Sequence, residues 1–336
     1  MSIADYKGVW VFAEQRDGEL QKIALELLGE GSRIATKLGM ELTAVLLSGD
    51  KTDDLVKELV AYGADKVIVA ESPLLTHFST DGYAKVICEL ANERKPSIIF
   101  VGATYLGRDL GPRLSARLTT GLVADCTSLD IDPENSNLMM TRPAFGGNLM
   151  ATIVCGDHRP QMATVRPGVF EKLEKDVNRT CPVEKVTVNL TAADIRTNTT
   201  EVIKVAQVLA DIADANIIVS GGRGVGAKEN FAVLETLAEL LGGVVGGSRA
   251  AVEAGWVDKS LQVGQTGKTV RPNVYIACGI SGQIQHLAGM SESDYIIAIN
   301  KDASAPIMQV ANLAIAGDYA KILPEMIAKI TEIQAK

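Results

Sequence analysis

Apolar positions in the first hundred residues fall into two alternating patterns. Short continuous runs at residues 8–13 (GVWVFA), 41–47, 66–70 and 97–102 (SIIFVG) read as strands buried on both faces. Helical stretches lie between and after them, at 19–38, 52–62, 83–92 and 106–118. In the first, Leu20, Ile23, Ala24, Leu27 and Leu28 recur on one helical face. Gly111-Pro112 is expected to break the last of these helices. Strands alternating with helices predict a parallel sheet covered on both faces.

The period then changes. Residues 122–131, 138–141, 150–154, 162–165 and 185–190 are short β-like runs. Turn residues such as Asp132-Pro133-Glu134-Asn135 and Gly146-Gly147-Asn148 part them. They predict an antiparallel extension of the first domain. Around residues 191–200 the chain is polar and aperiodic, which puts the domain boundary there: 1–190 as an N-terminal α/β domain with its β extension, 191–336 as a second domain. Alternation restarts with a helix at 201–213 and strands at 216–220, 243–246, 273–278, 294–300 and 312–316. Helices at 231–241 and 323–333 complete a doubly wound parallel sheet.

Composition narrows the classes. At 336 residues the chain is long enough for two domains and needs no disulfide staples. With 47% hydrophobic residues it is not a disordered chain, and with aromatics at 4% its core must be mostly Ala, Val, Ile and Leu. The net charge of −8 is the wrong sign for a non-specific nucleic-acid binder. No apolar run approaches the ~20 residues that span a bilayer, so no membrane insertion is expected. The first residues show no basic region followed by an apolar stretch, so no signal peptide is expected. Five scattered Cys without C-x-x-C, and three isolated His, suggest neither a disulfide framework nor a metal site. A reducing cytoplasm is the default.

The chemistry concentrates in the second half, where several strands end in small or polar residues just before a helix. Ligands of open α/β sheets sit at that edge, so a nucleotide-like cofactor is expected there. Gly222-Arg223-Gly224-Val225-Gly226-Ala227 fits G-x-G-x-x-A directly after a strand, the context of a dinucleotide fingerprint. The following strand ends without the acidic residue that would bind a ribose, and a plain Gly-rich turn is the bland reading. Gly264-Gln265-Thr266-Gly267-Lys268-Thr269 resembles the end of a P-loop, but Gln262 stands where the first Gly belongs, which excludes an NTPase loop. Gln262, Gln265 and Thr266 cluster instead as hydrogen-bonding groups suited to a heteroaromatic edge. A lone His is usually structural; His286 follows a ligand-edge loop by about one helical turn, which favours contact.

Six segments in order carry a resemblance: Ser220-Gly221-Gly222-Arg223-Gly224, Gly247-Ser248-Arg249, Val263-Gly264-Gln265-Thr266-Gly267, Gly279-Ile280-Ser281-Gly282-Gln283-Ile284-Gln285-His286, Ile299-Asn300 and Gly317-Asp318. Together they closely resemble the alpha subunit family of electron-transfer flavoproteins. In the first half, Gly107-Arg108-Asp109-Leu110-Gly111-Pro112-Arg113 and Arg142-Pro143-Ala144-Phe145-Gly146-Gly147-Asn148 extend the resemblance to essentially the whole chain. It implies that the second domain binds FAD and that the protein carries electrons. By the resemblance, Arg223, Ser248 and the Ser281-Gly282-Gln283 helix start would hold the pyrophosphate and ribityl chain, and Asn300 and Asp318, followed by Tyr319, the adenosine end. Arg249 would lie against the isoalloxazine, Thr266 would reach N5, and His286 would face the N1/O2 edge. Val263, Gly264, Gln265, Ile284 and Gln285 would be further contacts.

The family is heterodimeric, so a beta subunit is implied, with the first domain packing on it and the FAD domain swivelling about a hinge near residues 191–200. Acyl-CoA dehydrogenases would be electron donors. A related bifurcating variant takes electrons from NADH and splits them between ferredoxin and an acyl-CoA dehydrogenase; this chain alone does not separate the two. A non-redox adenine-nucleotide sensor and an NAD-dependent dehydrogenase are the alternatives from other classes. The first is weakened by the lack of a phosphate loop near residues 92–107, the second by the missing ribose carboxylate.

Overall fold

A computed structural model describes residues 3–144, 149–202 and 212–334, which fall into two compact units meeting in sequence after residue 202. The first is built on a seven-stranded parallel sheet. Its spatial order is Val183–Val186, Lys66–Glu71, Leu42–Ser48, Val9–Phe12, Ile98–Gly102, Gln161–Val165 and Leu122–Cys126. The strand Val9–Phe12 shows why its sequence is continuously apolar. Val9 and Val11 pack on one face beside Ile23, Leu27 and Leu28 of the helix Lys22–Leu38. Trp10 and Phe12 pack on the other beside Tyr83 and Ile87 of the helix Thr80–Arg94 and Leu110 of the helix Tyr105–Arg117. A two-sided burial of this kind leaves no polar face to alternate with.

Three expectations change. The antiparallel extension holds only Ser128–Ile131, Leu138–Ala144 and Leu149–Val154. The runs at 122, 162 and 185 join the parallel sheet instead; Gln161–Val165 is buried at every position, which a half-solvated antiparallel strand would not be. The helix Tyr105–Arg117 passes through Pro112 unbroken, losing one ladder bond. Residues 191–202 stay with the first unit. Arg196 donates from Nε and from Nη2 to the Asp81 carboxylate, each at 2.8 Å, and Lys85 pairs with Asp194 at 2.9 Å. The Arg196 guanidinium first, then its backbone N–H and Arg113, hold Asp81 down at about 2 against the burial that opposes them. The expected domain start at residue 191 therefore falls inside the first unit. The helix expected at 201–213 and the turn Gly146-Gly147-Asn148 lie outside the described residues, apart from a few positions at the helix's ends.

In the first unit the chain reverses direction across the sheet between Val9–Phe12 and Ile98–Gly102, the usual place for a ligand in such a sheet. Glu14 is buried just there. It accepts a hydrogen bond from Thr104 Oγ1 at 2.6 Å and pairs with Arg16 at 2.9 Å.

The second unit is a five-stranded parallel sheet in the order Val244–Gly247, Ile217–Gly221, Val274–Cys278, Tyr295–Asn300 and Leu313–Ala316. Numbered along the chain this is 2-1-3-4-5, a doubly wound order whose switch point lies between Ile217–Gly221 and Val274–Cys278. One face packs Ile218, Tyr275, Ala277 and Ile296; the other packs Val219, Ile276 and Ile299 beneath the helices Ala232–Leu240 and Tyr319–Gln334.

Candidate functional site

Both strands at the switch point end in glycine-rich loops that touch. Gly222 N–H donates to the Cys278 carbonyl at 2.9 Å and Gly224 N–H to the Gly279 carbonyl at 3.0 Å. A Cβ on Gly222 would stand 2.3 Å from the Gly279 oxygen, and one on Gly224 would stand 2.7 Å from it. Close backbone approach across the switch point is thus what these glycines permit. The fingerprint-like spacing first serves loop packing.

A cleft of about 770 Å³ opens above these loops, within the range of small-molecule and cofactor sites. Arg223 reaches it from the first loop, Ser248 and Arg249 from the end of the edge strand, and Val263, Gly264, Gln265 and Thr266 from the crossover loop. Ser281, Gln283, Gln285 and His286 line it from the loop and helix after Val274–Cys278, and Asn300 from the next strand. Twelve of the sixteen expected cofactor positions therefore converge on one cavity, though they span nearly eighty residues of sequence.

Local hydrogen bonds explain how each is held. Ser248 caps the short helix Arg249–Glu253, its Oγ accepting from Ala251 N–H at 3.4 Å. Arg249 Nε donates to Glu253 Oε1 at 2.7 Å, one turn along that helix. Gln262 Nε2 donates to Thr266 Oγ1 at 3.0 Å, and Gln265 N–H donates to the Gln285 carbonyl at 2.7 Å, which docks the crossover loop on the helix Ile284–Leu287. Asn300 donates to the Ile280 carbonyl at 2.8 Å and accepts from Asp302 N–H at 3.0 Å, tying two loops together.

The remaining four positions lie outside the cleft lining. Gly282 is buried with φ +82, packed against Ile307. Ile284 opens the helix whose later residues line the cavity. Asp318 pairs with Lys301 at 3.0 Å and accepts from Ala320 N–H at 3.1 Å. Lys301 leads the causes that hold its carboxyl below the ordinary carboxylate range. Tyr319 donates its hydroxyl to the Val225 carbonyl at 2.7 Å, bracing the first loop.

His286 is the unusual group. It is 7% exposed, and its Nε2 lies 3.0 Å from the Tyr275 hydroxyl. Its Nδ1 is buried and makes no hydrogen bond among the described residues. Burial drives the imidazole down to about 4, with the nearby Val263 carbonyl opposing, so it is neutral at pH 7. Glu253, Asp302 and Ala305 also line the cleft and were not expected from sequence. The four-residue spacing of Arg249 and Glu253 is the one signal that would have shown the first. No group of His, Cys, Asp and Glu suited to a metal occurs among the described residues, and none of their helices is long and apolar enough to cross a membrane.

Comparison with known proteins shows the family. Residues 9–191 match the electron transfer flavoprotein domain family, and residues 211–291 match the electron transfer flavoprotein FAD-binding domain family. The chain is 69% identical over 332 residues to the electron transfer flavoprotein subunit alpha of Clostridium acetobutylicum, covering 98% of each. It is 43% identical over 319 residues to the protein of the same name from Bacillus subtilis, covering 95% of each. Identity is 48% to the acryloyl-CoA reductase electron transfer subunit beta of Anaerotignum propionicum, over 98% of this chain and 97% of that one.

Proposed function

This chain belongs to the electron transfer flavoprotein family as an alpha subunit that binds FAD and takes part in electron transfer, and from that premise we propose that the switch-point cleft of its second unit is the FAD site. The observation that carries the reading is convergence: polar side chains from four separate loops line one cavity at the ligand edge of the sheet.

Bound flavin supplies the redox chemistry; the protein sets its position and its electrostatics. In this reading Arg223, Ser248 and the Ser281-Gly282-Gln283 turn hold the anionic pyrophosphate and the ribityl chain, and Asn300, with Asp318 behind it, the adenosine end. Arg249 favours negative charge on the ring. Thr266, oriented by Gln262, and Gln265 and Gln285 supply hydrogen bonds to its edge. Asp318 and Tyr319 act through the loops they brace.

The partners follow from surface and relatives. The strand Leu149–Val154 lies at the edge of its sheet with Leu149, Met150, Ile153 and Val154 all exposed. An uncovered apolar edge of this kind invites association, and we assign it to a beta subunit. A relative named for acryloyl-CoA reductase supports an acyl-CoA dehydrogenase as redox partner.

Co-purification with the native beta subunit tests the whole reading. A flavin-bearing heterodimer is expected, and a colourless complex from native cells would overturn it. The number of FAD per heterodimer and an NADH titration separate a one-flavin carrier from an NADH-oxidising, ferredoxin-reducing variant. Arg249→Ala is expected to lower the one-electron potential by on the order of 50 mV, about one tenfold step; an unchanged couple would remove Arg249 from the ring.

A further inference from the structure

Consecutive side chains at the start of the last helix reach two separate loops of the cleft. Asp318 pairs with Lys301, the neighbour of Asn300, at 3.0 Å. Tyr319 reaches further. It follows the strand Leu313–Ala316, and two strands, Val274–Cys278 and Tyr295–Asn300, stand between that one and Ile217–Gly221. Its hydroxyl nonetheless donates to the carbonyl of Val225, just past Ile217–Gly221, at 2.7 Å. A carbonyl carries no proton, so the direction of this bond is fixed. Burial first, then Asp318, raises the phenol above its ordinary value, so it keeps its proton at pH 7. Tyr319 and Val225 are both buried, and a hydrogen bond shielded from water is the stronger for it.

Val225 belongs to the turn that carries Arg223. Asn230 Nδ2 donates to the same carbonyl at 2.8 Å, so both of its lone pairs are filled. Val225 N–H donates to the Gly222 carbonyl, and Gly226 N–H to the Arg223 carbonyl, each at 3.1 Å. Gly222 and Gly224 are tied to the neighbouring loop. The backbone is thereby fixed on both sides of Arg223, whose own side chain is exposed and lines the cleft. Arg249 shares its charge with Glu253, whereas Arg223 has no carboxylate partner among the described residues. An uncompensated guanidinium suits a pyrophosphate. A turn ordered before the ligand arrives also lowers the entropy lost on binding.

We propose that Tyr319 is a positioning residue for Arg223: its hydroxyl fixes the turn that carries the arginine, and so governs how long the phosphate half of FAD is held. This rests on the FAD reading above. Tyr319 need not touch the cofactor to do so. Asn230 acts on the same carbonyl from the other side.

The test follows release of FAD from the intact heterodimer, read as the rise of flavin fluorescence on dilution. Tyr319→Phe deletes one oxygen and should speed release about fivefold, the worth of one hydrogen bond. Arg223→Ala should speed it about tenfold or more. In that background Tyr319→Phe should add less than about twofold, because the side chain it positions is gone. A merely structural role would speed release equally in both backgrounds, and that result overturns the proposal, as does a Tyr319→Phe rate equal to wild type. Asn230 is exposed, so Asn230→Ala tests the same carbonyl without opening the core. It should act in the same direction and likewise lose its effect without Arg223; an equal effect in both backgrounds overturns the proposal. Failure of the FAD reading looks different: Arg223→Ala itself would then leave release unchanged.

Discussion

Arg249 does not present an isolated charge. Glu253 lies 2.7 Å from its Nε, and both side chains are more than half exposed, so the pair adds little to stability. Its effect is on the cleft, where the carboxylate offsets part of the guanidinium's field. Glu253→Gln should therefore raise the flavin potential, opposite to Arg249→Ala, by up to the same order of about 50 mV; potentiometry of the two variants side by side checks the sign. His286 acts on stability through pH. Its imidazole sits at about 4 in the folded chain against an ordinary 6.5. As pH falls the unfolded chain takes up this proton first, so the contribution of neutral His286 is complete above about 6.5 and is lost as pH drops to about 4. Unfolding of flavin-depleted protein across that range should show this limb, and His286→Asn should remove it. Tyr275 escaped the sequence because a phenol in an apolar strand looks like any core aromatic; only the fold brings its hydroxyl to a residue eleven positions on.

Among the elements, Gly282 shows how tightly the ligand loop is set. Its φ of +82 disfavours any side chain, and a Cβ would stand 2.3 Å from the Ile307 nitrogen. Gly282→Ala should cost the second unit about 2 kcal/mol or more and several degrees of Tm, with loss of bound flavin; thermal unfolding followed by flavin release measures both. The long elements were legible. Residues 273–278 and 294–300 predict strands that the structure moves by one residue at their starts. Arg249–Glu253 and Pro306–Val310 were not, because five residues are too few to show a helical period. The segment 191–196 misled for another reason: charge pairs to Asp81 and Lys85 bind it to the first unit, and ion pairs leave no hydrophobic pattern to read. Motif order located the cleft better than spacing did. The glycines of residues 222–224 match a phosphate-binding spacing, yet their close approach to Gly279 shows backbone packing at work.

For the molecule as a whole, the edge strand Leu149–Val154 is the natural seat of a partner. Ile153→Lys puts a charge at a position already 40% exposed, so the lone chain should keep its Tm. Its affinity for the beta subunit should fall by about tenfold or more, and sedimentation of the mixed subunits reads both states. Unchanged assembly would exclude this edge from the interface. The two units also differ at their switch points. Where the first sheet reverses, the buried Glu14 carboxylate is fastened by Thr104 and Arg16. That carboxylate is unfavourable to a phosphate, although the Arg16 guanidinium beside it offsets part of its field. The two lobes thus differ in what their reversals present: a carboxylate tied to its own chain in one, a cleft lined by the guanidinium groups of Arg223 and Arg249 in the other.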